Sequence, residues 1–405
     1  MGNVLYLAHR LPFPPNKGDK VRSYHLLKHL AAKHRVFLGT FVDDPEDEVH
    51  VETVRGFCAE VYVARLSPRL AKIRSLAGLL RREALSLGYY RDAGLSAWCR
   101  RLATDEQIDA AVVFSSPMAQ YADLVPDAAQ LVDFVDVDSA KWTQYASAHS
   151  WPMSWLYRRE GERLLAYEAA VAAKAERSFF VTENEATLFR GLASAVAGKV
   201  EALSNGVDAA FFAPDSARVS PFPSSAKPVL VFTGAMDYWP NIDGVTWFVA
   251  EVLPELLRRW PELRFYIVGR SPTPAVEGLA SSDVVVTGTV PDVRPYLQHA
   301  TVVVAPLRVA RGIQNKILEA MAMARPVVAS SVCVKPIGAS EGAELLAARD
   351  AEDFIAQIDS LLHAPGRADA IGRAGQTMVQ LRYSWDAHLA GIDRHLDRFM
   401  PENEQ

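Results

Sequence analysis

Short, continuous runs of apolar residues alternate with helical patterns along most of the chain, and this alternation is the strongest constraint on the fold. Most runs are unbroken stretches of Val, Leu and Phe, which are typical of strands covered by helices on both faces. The pattern therefore predicts an α/β protein with parallel sheets. The expected strands are NVLYLAH, RVFLGTF, AEVYVARL, DAAVVFS, QLVDFVD, RSFFVTE and KVEALS, then PVLVFTG, LRFYIVG, DVVVTG, TVVVAPL and PVVASS.

The length of 405 residues suggests two or three domains at roughly 150 residues each. Pro, Ser and Gly concentrate in residues 204–228, directly after a predicted strand, which indicates a boundary there. We expect two doubly wound, Rossmann-like domains that face a central cleft, where ligands commonly bind. The first would span residues 1–208 and the second 209–384, with a helix over 385–400 packing back onto the first.

Composition narrows the class of protein. The net charge of -5 argues against general nucleic-acid binding. Cys58, Cys99 and Cys333 are far apart and form no CxxC pair, which favours a reducing compartment without a structural zinc site or a disulfide framework. No window reaches the roughly 18 apolar residues of a membrane-spanning helix, and the N-terminus has no signal-peptide pattern. We expect a cytoplasmic protein.

Charge is uneven along the first half of the chain. Residues 65–101 carry nine basic side chains against two acidic ones, with LAGLL, Tyr89, Tyr90 and Trp98 interleaved. This composition is typical of an amphipathic basic surface that rests on anionic lipid, and would place the protein peripherally on the inner face of a membrane. A solvated helical face explains the same residues equally well.

The stretch RGIQNKILEAMAM, residues 311–323, introduces charge into an apolar helical pattern. Gly312, Asn315 or Lys316, and Glu319 fall at helical spacings along one stripe. A glycine admits a ligand close to the first turn, whose free amides and dipole favour an anion such as a diphosphate. Lys316 adds a positive charge, and Glu319 can accept hydrogen bonds from a ribose diol. The alternative is an ordinary helix with an i, i+3 Lys–Glu pair.

The order VTGTVPDVRPYLQHATVVVAPLRVARGIQNKILEAMAMARPVVAS resembles the donor-binding half of GT-B glycosyltransferases of the large retaining family four. It is more narrowly similar to the sugar transferases associated with PEP-CTERM/exosortase exopolysaccharide systems. YLAHRLPFPPNKGDKVRSYHLLKHL and DFVDVDSAKWTQYA fit the same group, and LSNGVD resembles the family's NGVD before its second domain. The resemblance covers nearly the whole chain. It implies a metal-independent hexosyltransferase with an acceptor-side first domain and a donor-binding second domain.

One departure from the family lies just before EAMA. Relatives carry two glutamates there with seven residues between them, the first near the donor sugar and the second at the ribose. Glu319 matches the second, but Arg311 stands at the first. A guanidinium cannot accept hydrogen bonds from sugar hydroxyls, although it grips phosphate well. We therefore expect Arg311 and Lys316 to stabilise the leaving diphosphate, together with the helix start at Gly312 and Ile313.

A second departure lies in TGAMDYWPN. Many relatives have Gly-Arg after the first strand of the second domain, and a lysine shortly beyond. Here Gly234 is followed by Ala, Met and Asp, with no base nearby. Arg270, at the end of the strand LRFYIVG, is a weaker candidate for the same role. The cations on the diphosphate should then be Arg311 and Lys316.

The first domain holds further candidates. PPNKGDKVRSYHLL resembles the family's glycine-bearing loop, where Gly18 would let backbone amides face a phosphate or an acceptor and Asp19 could cap the next helix. A plain strand-to-helix turn is the alternative.

His9 ends the first strand. Asp136 and Asp138 form a DxD pair, but the resemblance argues against a catalytic metal, and we expect Asp136 to contact the acceptor or cap a helix.

The predicted activity is transfer of a sugar from a nucleotide-diphosphate sugar to a hydroxyl of a saccharide or lipid-linked acceptor, in exopolysaccharide or cell-surface glycan synthesis. Retention at the anomeric carbon is implied by the resemblance. No cofactor is expected beyond the nucleotide-sugar co-substrate. Two alternatives stay open: a GT-B-fold epimerase of nucleotide sugars, and a degenerate, non-catalytic partner of another transferase.

Overall fold

The chain folds into two compact α/β units, seen in a computed structural model. The residues that the structure describes are 1–15, 18–147, 149–223, 228–310 and 313–400. The first unit comprises Met1–Asn205 together with His388–Gln405, and the second comprises Gly206–Ala387. The sequence predicted a division after residue 208 and a return to the first unit from residue 385.

A parallel sheet forms the centre of the first unit. Its strands are β1 (Asn3–Ala8), β2 (Arg35–Val42), β3 (Glu60–Arg65), β4 (Ala110–Phe114), β5 (Ala129–Val135), β6 (Arg177–Phe180) and β7 (Val200–Ala202). They lie in the order β3-β2-β1-β4-β5-β6-β7, and neighbouring strands are parallel. The strand order reverses between β1 and β4, and such a switch point is where open α/β sheets bind ligands.

Helices connect these strands. They are α1 (Gly18–Lys33), α2 (Val51–Arg55), α3 (Pro68–Ser75), α4 (Ala77–Arg81), α5 (Leu85–Tyr89), α6 (Ala93–Asp105), α7 (Ala119–Ala122), α8 (Asp138–Ser147), α9 (Met153–Lys174) and α10 (Glu183–Leu192). Side chains cap the starts of two of them: the Asp92 carboxylate accepts from the Leu95 amide at 2.7 Å, and the Thr182 hydroxyl from the Glu185 amide at 3.1 Å.

The second unit repeats the plan. Its strands are β8 (Val229–Thr233), β9 (Arg264–Val268), β10 (Val284–Gly288), β11 (Val302–Ala305), β12 (Val327–Ser330) and β13 (Leu346–Ala348). They lie in the order β10-β9-β8-β11-β12-β13, again parallel, so the switch point falls between β8 and β11. The predicted fold class of two doubly wound parallel-sheet units is confirmed. Every expected strand is present, and β13 was missed.

The helices of the second unit pack around this sheet. They are α11 (Trp239–Trp247), α12 (Leu253–Arg259), α13 (Pro274–Glu277), α14 (Arg294–His299), α15 (Asn315–Ala322), α16 (Ser331–Ile337), α17 (Ala351–His363) and α18 (Pro365–Arg382). Helix α15 buries Ile317, Leu318 and Met321 completely in the core of the unit. This burial fixes the rotation of α15 and leaves Lys316 and Glu319 only partly covered.

The last helix, α19 (Trp385–Leu396), ends in the first unit. Its Asp393 carboxylate lies 2.8 Å from His29 Nε2 and accepts from Lys33 at 2.5 Å. His395 Nε2 lies 3.2 Å from a Glu201 carboxylate oxygen. These contacts attach the end of the chain to α1 and β7. Among the described residues, no helix combines the length and apolar character needed to cross a bilayer.

Candidate functional site

The carboxyl end of β8 is shaped by two glycines. Gly269 has a φ of +154°, and a Cβ there would lie 1.6 Å from the Gly234 carbonyl oxygen, so only glycine fits. A Cβ on Gly234 itself would lie 2.8 Å from both Lys316 Nζ and Asn241 Nδ2. The missing side chain at Gly234 therefore leaves the space that the Lys316 ammonium occupies.

Lys316 is the second residue of α15, and neutral groups hold its ammonium. Nζ donates to Asn241 Oδ1 at 2.6 Å and lies 4.2 Å from the centroid of the Phe232 ring. The Asn241 amide is itself fixed, because Nδ2 donates to the Ala235 carbonyl at 2.8 Å. Among the described residues, no carboxylate lies within ion-pair distance of Lys316. Its charge is thus held in place without being neutralised by a direct contact.

Glu319 lies one helical turn beyond Lys316. Burial lowers the pKa of Lys316 to about 8, an effect that Glu319 opposes. Burial raises the pKa of Glu319 to about 7, an effect that Lys316 opposes. The alternative to a ligand site was an ordinary helix with a Lys–Glu ion pair. The structure does not show that pair, because the Lys316 ammonium bonds to Asn241 instead. Both groups change charge near neutral pH, as functional groups often do.

The start of the helix differs from the prediction. Helix α15 begins at Asn315, after Gln314 in an extended conformation, so the expected start at Gly312 and Ile313 is wrong. Ile313 precedes the helix and packs, partly buried, on the core of the second unit, while Asn315 is exposed in the first turn. Arg311 and Gly312 lie outside the described residues, and their roles stay predictions.

Arg270 follows β9 beside the Gly234 loop. Its carbonyl accepts a hydrogen bond from the Met236 amide at 2.8 Å, and its side chain is exposed. Two exposed aromatic residues follow: Tyr238 directly precedes α11, and Trp239 is the first residue of that helix. The second switch point therefore brings together Gly234, Lys316 and the Asn241 amide, with Arg270 on an adjoining loop and the aromatic pair at the start of α11.

A polar cluster lies where β1 and β2 end in the first unit. Arg10 donates to Asp19 at 2.8 Å and to Asp43 at 3.0 Å. His9 Nε2 lies 3.5 Å from the Asp19 carboxylate, and the His9 ring stacks on Phe114 with centroids 5.8 Å apart. The hydrogen bond from His9, and to a smaller extent the charge of Arg10, hold the pKa of Asp19 well below its usual range. The sequence predicted His9 and Asp19 but missed Arg10 and Asp43.

Asp19 is not a helix cap. Helix α1 begins at Gly18, which places Asp19 inside the first turn and not at the cap position, and its carboxylate accepts from Arg10. The prediction that Asp19 caps the helix is therefore wrong. An acidic side chain in the first turn still interacts favourably with the helix dipole. The signal for Arg10 was available, because it stands just after a buried strand end.

Asp136 lies apart from this cluster, after β5. It accepts from Lys141 at 2.7 Å, and Lys141 also bonds Asp138 at 3.1 Å. Val135 has a φ of +69°, which is strained for a β-branched residue, and it turns the chain just before Asp136. Within the described parts of the chain, no group of three or more His, Cys, Asp or Glu side chains is placed to hold a metal ion.

Comparison with known proteins agrees with this architecture. Residues 227–364 match the family described as glycosyl transferases group 1. D-inositol 3-phosphate glycosyltransferase of Segniliparus rotundus is 27% identical over 244 residues, which cover 56% of this chain and 53% of that protein. The chain thus aligns with about half the length of this curated relative.

Solved structures match over almost the whole chain. HepE of Anabaena, solved with UDP and glucose, is 14% identical with a TM-score of 0.61, covering 98% of this chain and 100% of that one. Sucrose-phosphate synthase of Thermosynechococcus elongatus is 18% identical with a TM-score of 0.61, covering 98% and 99%. The chain therefore has the GT-B type of fold, and its second unit resembles the glycosyl transferases of group 1 over residues 227–364.

Proposed function

We propose that the protein transfers a sugar from a nucleotide-diphosphate sugar to a hydroxyl of a saccharide or lipid-linked acceptor, with retention at the anomeric carbon. The observation that carries the proposal is the Lys316 ammonium, held by Asn241 and Phe232 beside Gly234 at the switch point of the second sheet. A positive charge fixed by neutral groups is available to a diphosphate. The similarity to group 1 glycosyl transferases over residues 227–364, and the UDP and glucose bound to HepE, support the same interpretation.

The chemistry follows from where charge develops. Glycosyl transfer passes through an oxocarbenium-like state while negative charge builds on the leaving diphosphate. Lys316 and the positive end of the α15 dipole would stabilise that charge from fixed positions. Glu319, one turn further, would accept from the ribose hydroxyls. Arg311 and Gly312 would complete the phosphate contacts, and no metal is required in this scheme.

The acceptor would lie against the first unit. The His9–Arg10–Asp19–Asp43 cluster offers charged hydrogen-bonding groups for a saccharide or a phosphate at the end of β1. Asp136 is a further candidate contact. The product would enter exopolysaccharide or cell-surface glycan synthesis, in the manner of the PEP-CTERM-associated transferases that the sequence resembles.

The activity test is acceptor-dependent release of nucleoside diphosphate. Purified protein is incubated with a panel of nucleotide sugars, with and without lipid extract as acceptor source, and the product linkage is read by NMR. The proposal predicts release only with acceptor, and an anomeric configuration equal to that of the donor. A change in the sugar without acceptor would instead identify an epimerase. Neither reaction, with no nucleotide bound, would identify a non-catalytic partner.

Binding of the diphosphate should depend on pH through Lys316. Because its pKa in the free protein is about 8, its charge is lost as pH rises and an anionic ligand binds more weakly. We expect the affinity for the bound nucleoside diphosphate to fall about tenfold between roughly pH 7 and 9. Lys316→Arg should lose less affinity over this range, because only Glu319 of the two groups still titrates there. Titration calorimetry checks both, and an equal pH dependence in the two proteins would contradict the assignment.

The basic residues between positions 65 and 101 lie in different environments. Three of them are in ion pairs: Arg65 with Glu48, Arg91 with Glu83 and Arg101 with Glu60. Trp98 is buried in the core and does not belong to the surface. Of the other six, Arg100 lies on α6, and Arg74 donates to the Gly88 and Tyr89 carbonyls. The exposed cations left on α3 and α4, or directly after α4, have no acidic partner among the described residues; they are Arg69, Lys72, Arg81 and Arg82.

Exposed apolar side chains run along the same two helices. Leu70, Ile73, Leu76 and Leu80 recur every three or four residues and are 50–91% exposed. Arg159 of α9 donates to the Gly78 carbonyl at 2.9 Å, and Trp155, 54% exposed, lies one turn before it on the same side of α9. We call this the α3–α4 surface. Its composition suits an anionic bilayer, so the protein would act on the cytoplasmic face of a membrane.

Vesicle flotation tests this surface. We expect binding to vesicles that contain phosphatidylglycerol and little binding to neutral phosphatidylcholine, because each cation near an anionic surface contributes about 1 kcal/mol. Replacing Arg69 and Arg81 with Gln should weaken binding about thirtyfold. The matched control replaces Arg258 and Arg349, exposed arginines of the second unit. Equal loss in both variants, or binding that ignores lipid charge, would contradict the assignment.

A further inference from the structure

A cavity of about 380 Å³ opens beside the α3–α4 surface, within the first unit. Helices α3, α5, α8 and α9 enclose it, and its volume is within the range of small-molecule sites. Tyr89, Tyr90, Trp142 and Tyr157 form most of the wall, with Leu85 and Leu156. Trp142 and Tyr157 contact each other with ring centroids 5.4 Å apart. The wall is therefore mainly aromatic and aliphatic.

The carboxylate and the two serine hydroxyls of the wall are bonded within the protein. The Glu160 carboxylate accepts from the Leu85 and Ser86 amides at 2.6 and 2.9 Å and from the Ser86 hydroxyl at 2.7 Å. The Ser75 hydroxyl donates to the Lys72 carbonyl at 2.7 Å. A hydrocarbon chain needs no hydrogen-bonding partner, and the aromatic rings with Leu85 and Leu156 offer it apolar contact. The cavity therefore suits an apolar chain.

A cation stands at one side of this cavity. Lys72 lines it, is exposed, and has no acidic partner within the described parts of the chain. Its neighbours Arg69 and Arg81 add positive charge. An apolar chain bound here would place a negatively charged headgroup against these cations. A phosphate headgroup suits them, because it forms charge-assisted hydrogen bonds with Lys and Arg.

On another side, the cavity adjoins the polar cluster at the end of β1. Tyr90 lines the cavity and also contacts the His9 ring edge-on, with centroids 5.8 Å apart. His9 in turn lies beside Asp19 and Arg10. One side chain thus separates the apolar cavity from the charged groups assigned to the acceptor.

We propose that this cavity binds the hydrocarbon chain of a lipid phosphate, with the phosphate against Lys72 and its sugar-bearing end directed toward His9 and Arg10. This rests on the proposed function in one respect, since it names the acceptor class as a lipid-linked phosphate. The acceptor would then be drawn from the bilayer on which the α3–α4 surface rests, with its chain sheltered in the first unit.

The test uses the full chain without any donor. Decyl phosphate, below its critical micelle concentration, is titrated calorimetrically beside octyl phosphate, decanol and inorganic phosphate. Removing two methylenes should weaken binding roughly tenfold, and inorganic phosphate alone should not bind measurably. Lys72→Gln should weaken decyl phosphate about twofold to fivefold, while Lys28→Gln, an exposed lysine of α1, should not.

A second set of variants locates the chain. Leu156→Trp fills the cavity and should weaken decyl phosphate roughly tenfold or more, whereas Leu188→Trp, on the exposed face of α10, should not. Bromoundecyl phosphate should quench fluorescence in the parent and quench it less in Trp142→Phe. The proposal would be overturned if Leu156→Trp and Leu188→Trp bound decyl phosphate with the same affinity, or if affinity did not depend on chain length.

The transferase proposal and the cavity proposal can be rejected independently of each other. Donor binding is measured in the second unit, by the stabilisation that a nucleoside diphosphate gives. Retained stabilisation together with no binding of decyl phosphate would reject the cavity proposal alone. If decyl phosphate binds but no nucleoside diphosphate stabilises the protein, the cavity assignment stands and the transferase is rejected.

Discussion

Lys316→Ala should lower the turnover of sugar transfer by about two to three orders of magnitude. Removing one preorganised group that stabilises developing negative charge typically costs about 3–4 kcal/mol in the barrier. Here the ammonium is held by Asn241 and Phe232 beside Gly234, so its position does not have to be reorganised during the reaction. The measurement is steady-state turnover under saturating donor and acceptor.

The control for this variant is Lys335→Ala. Lys335 is an exposed lysine on α16 of the same unit, and its removal should leave turnover unchanged. Lys316→Ala should also melt cooperatively, because the lysine side chain makes a single hydrogen bond to Asn241. Near-normal turnover by a folded Lys316→Ala protein would contradict the role given to this residue.

Asp133→Ala should destabilise the first unit by about 3–5 kcal/mol. Asp133 and Arg22 are buried, with Arg22 Nε donating to Asp133 Oδ2 at 2.6 Å, and the other Asp133 oxygen accepts from the Val135 amide at 3.2 Å. Removing the carboxylate leaves the Arg22 guanidinium buried, with the neutral Asn205 Oδ1 as an acceptor at 3.0 Å. Urea unfolding checks the change.

Two comparisons separate this effect from a general loss of an ion pair. Asp123→Ala removes the exposed partner of Lys174 and should cost about 0–1 kcal/mol. Replacing Arg22 and Asp133 together by Met and Leu should recover much of the loss, because no unpaired charge is left buried. Similar losses for Asp133→Ala and Asp123→Ala would contradict the account of the buried pair.

The strands could be predicted from the sequence because a doubly covered parallel strand leaves an unbroken apolar run, as in VVVA at β11. Strand β13 could not be predicted, because an apolar run of three residues, LAA, is equally compatible with a helix. The start of α15 was misplaced for a related reason. Ile313 continues the apolar pattern and packs on the core, yet it precedes the helix.

The candidate site was predictable where its residues share a segment and unpredictable where they meet through the fold. Lys316 and Glu319 share one helix, so their spacing showed them. Asn241 lies 75 residues from Lys316 in sequence, and only the register of β8 against β11 brings it into contact. The pairing of Arg10 with Asp43 likewise depends on the adjacent ends of β1 and β2.

The most direct test of the central claim is thermal unfolding of the full chain with UDP, GDP, ADP, CMP and NAD, beside Lys316→Ala and Glu319→Ala. A ligand at about a hundred times its dissociation constant stabilises the native state by about 2.7 kcal/mol, which is readily seen as a rise in melting temperature. We expect one nucleoside diphosphate to raise the melting temperature of the parent and not of the variants. No rise with any nucleotide, in proteins that all melt cooperatively, would contradict the claim that Lys316 and Glu319 form a nucleotide-sugar site.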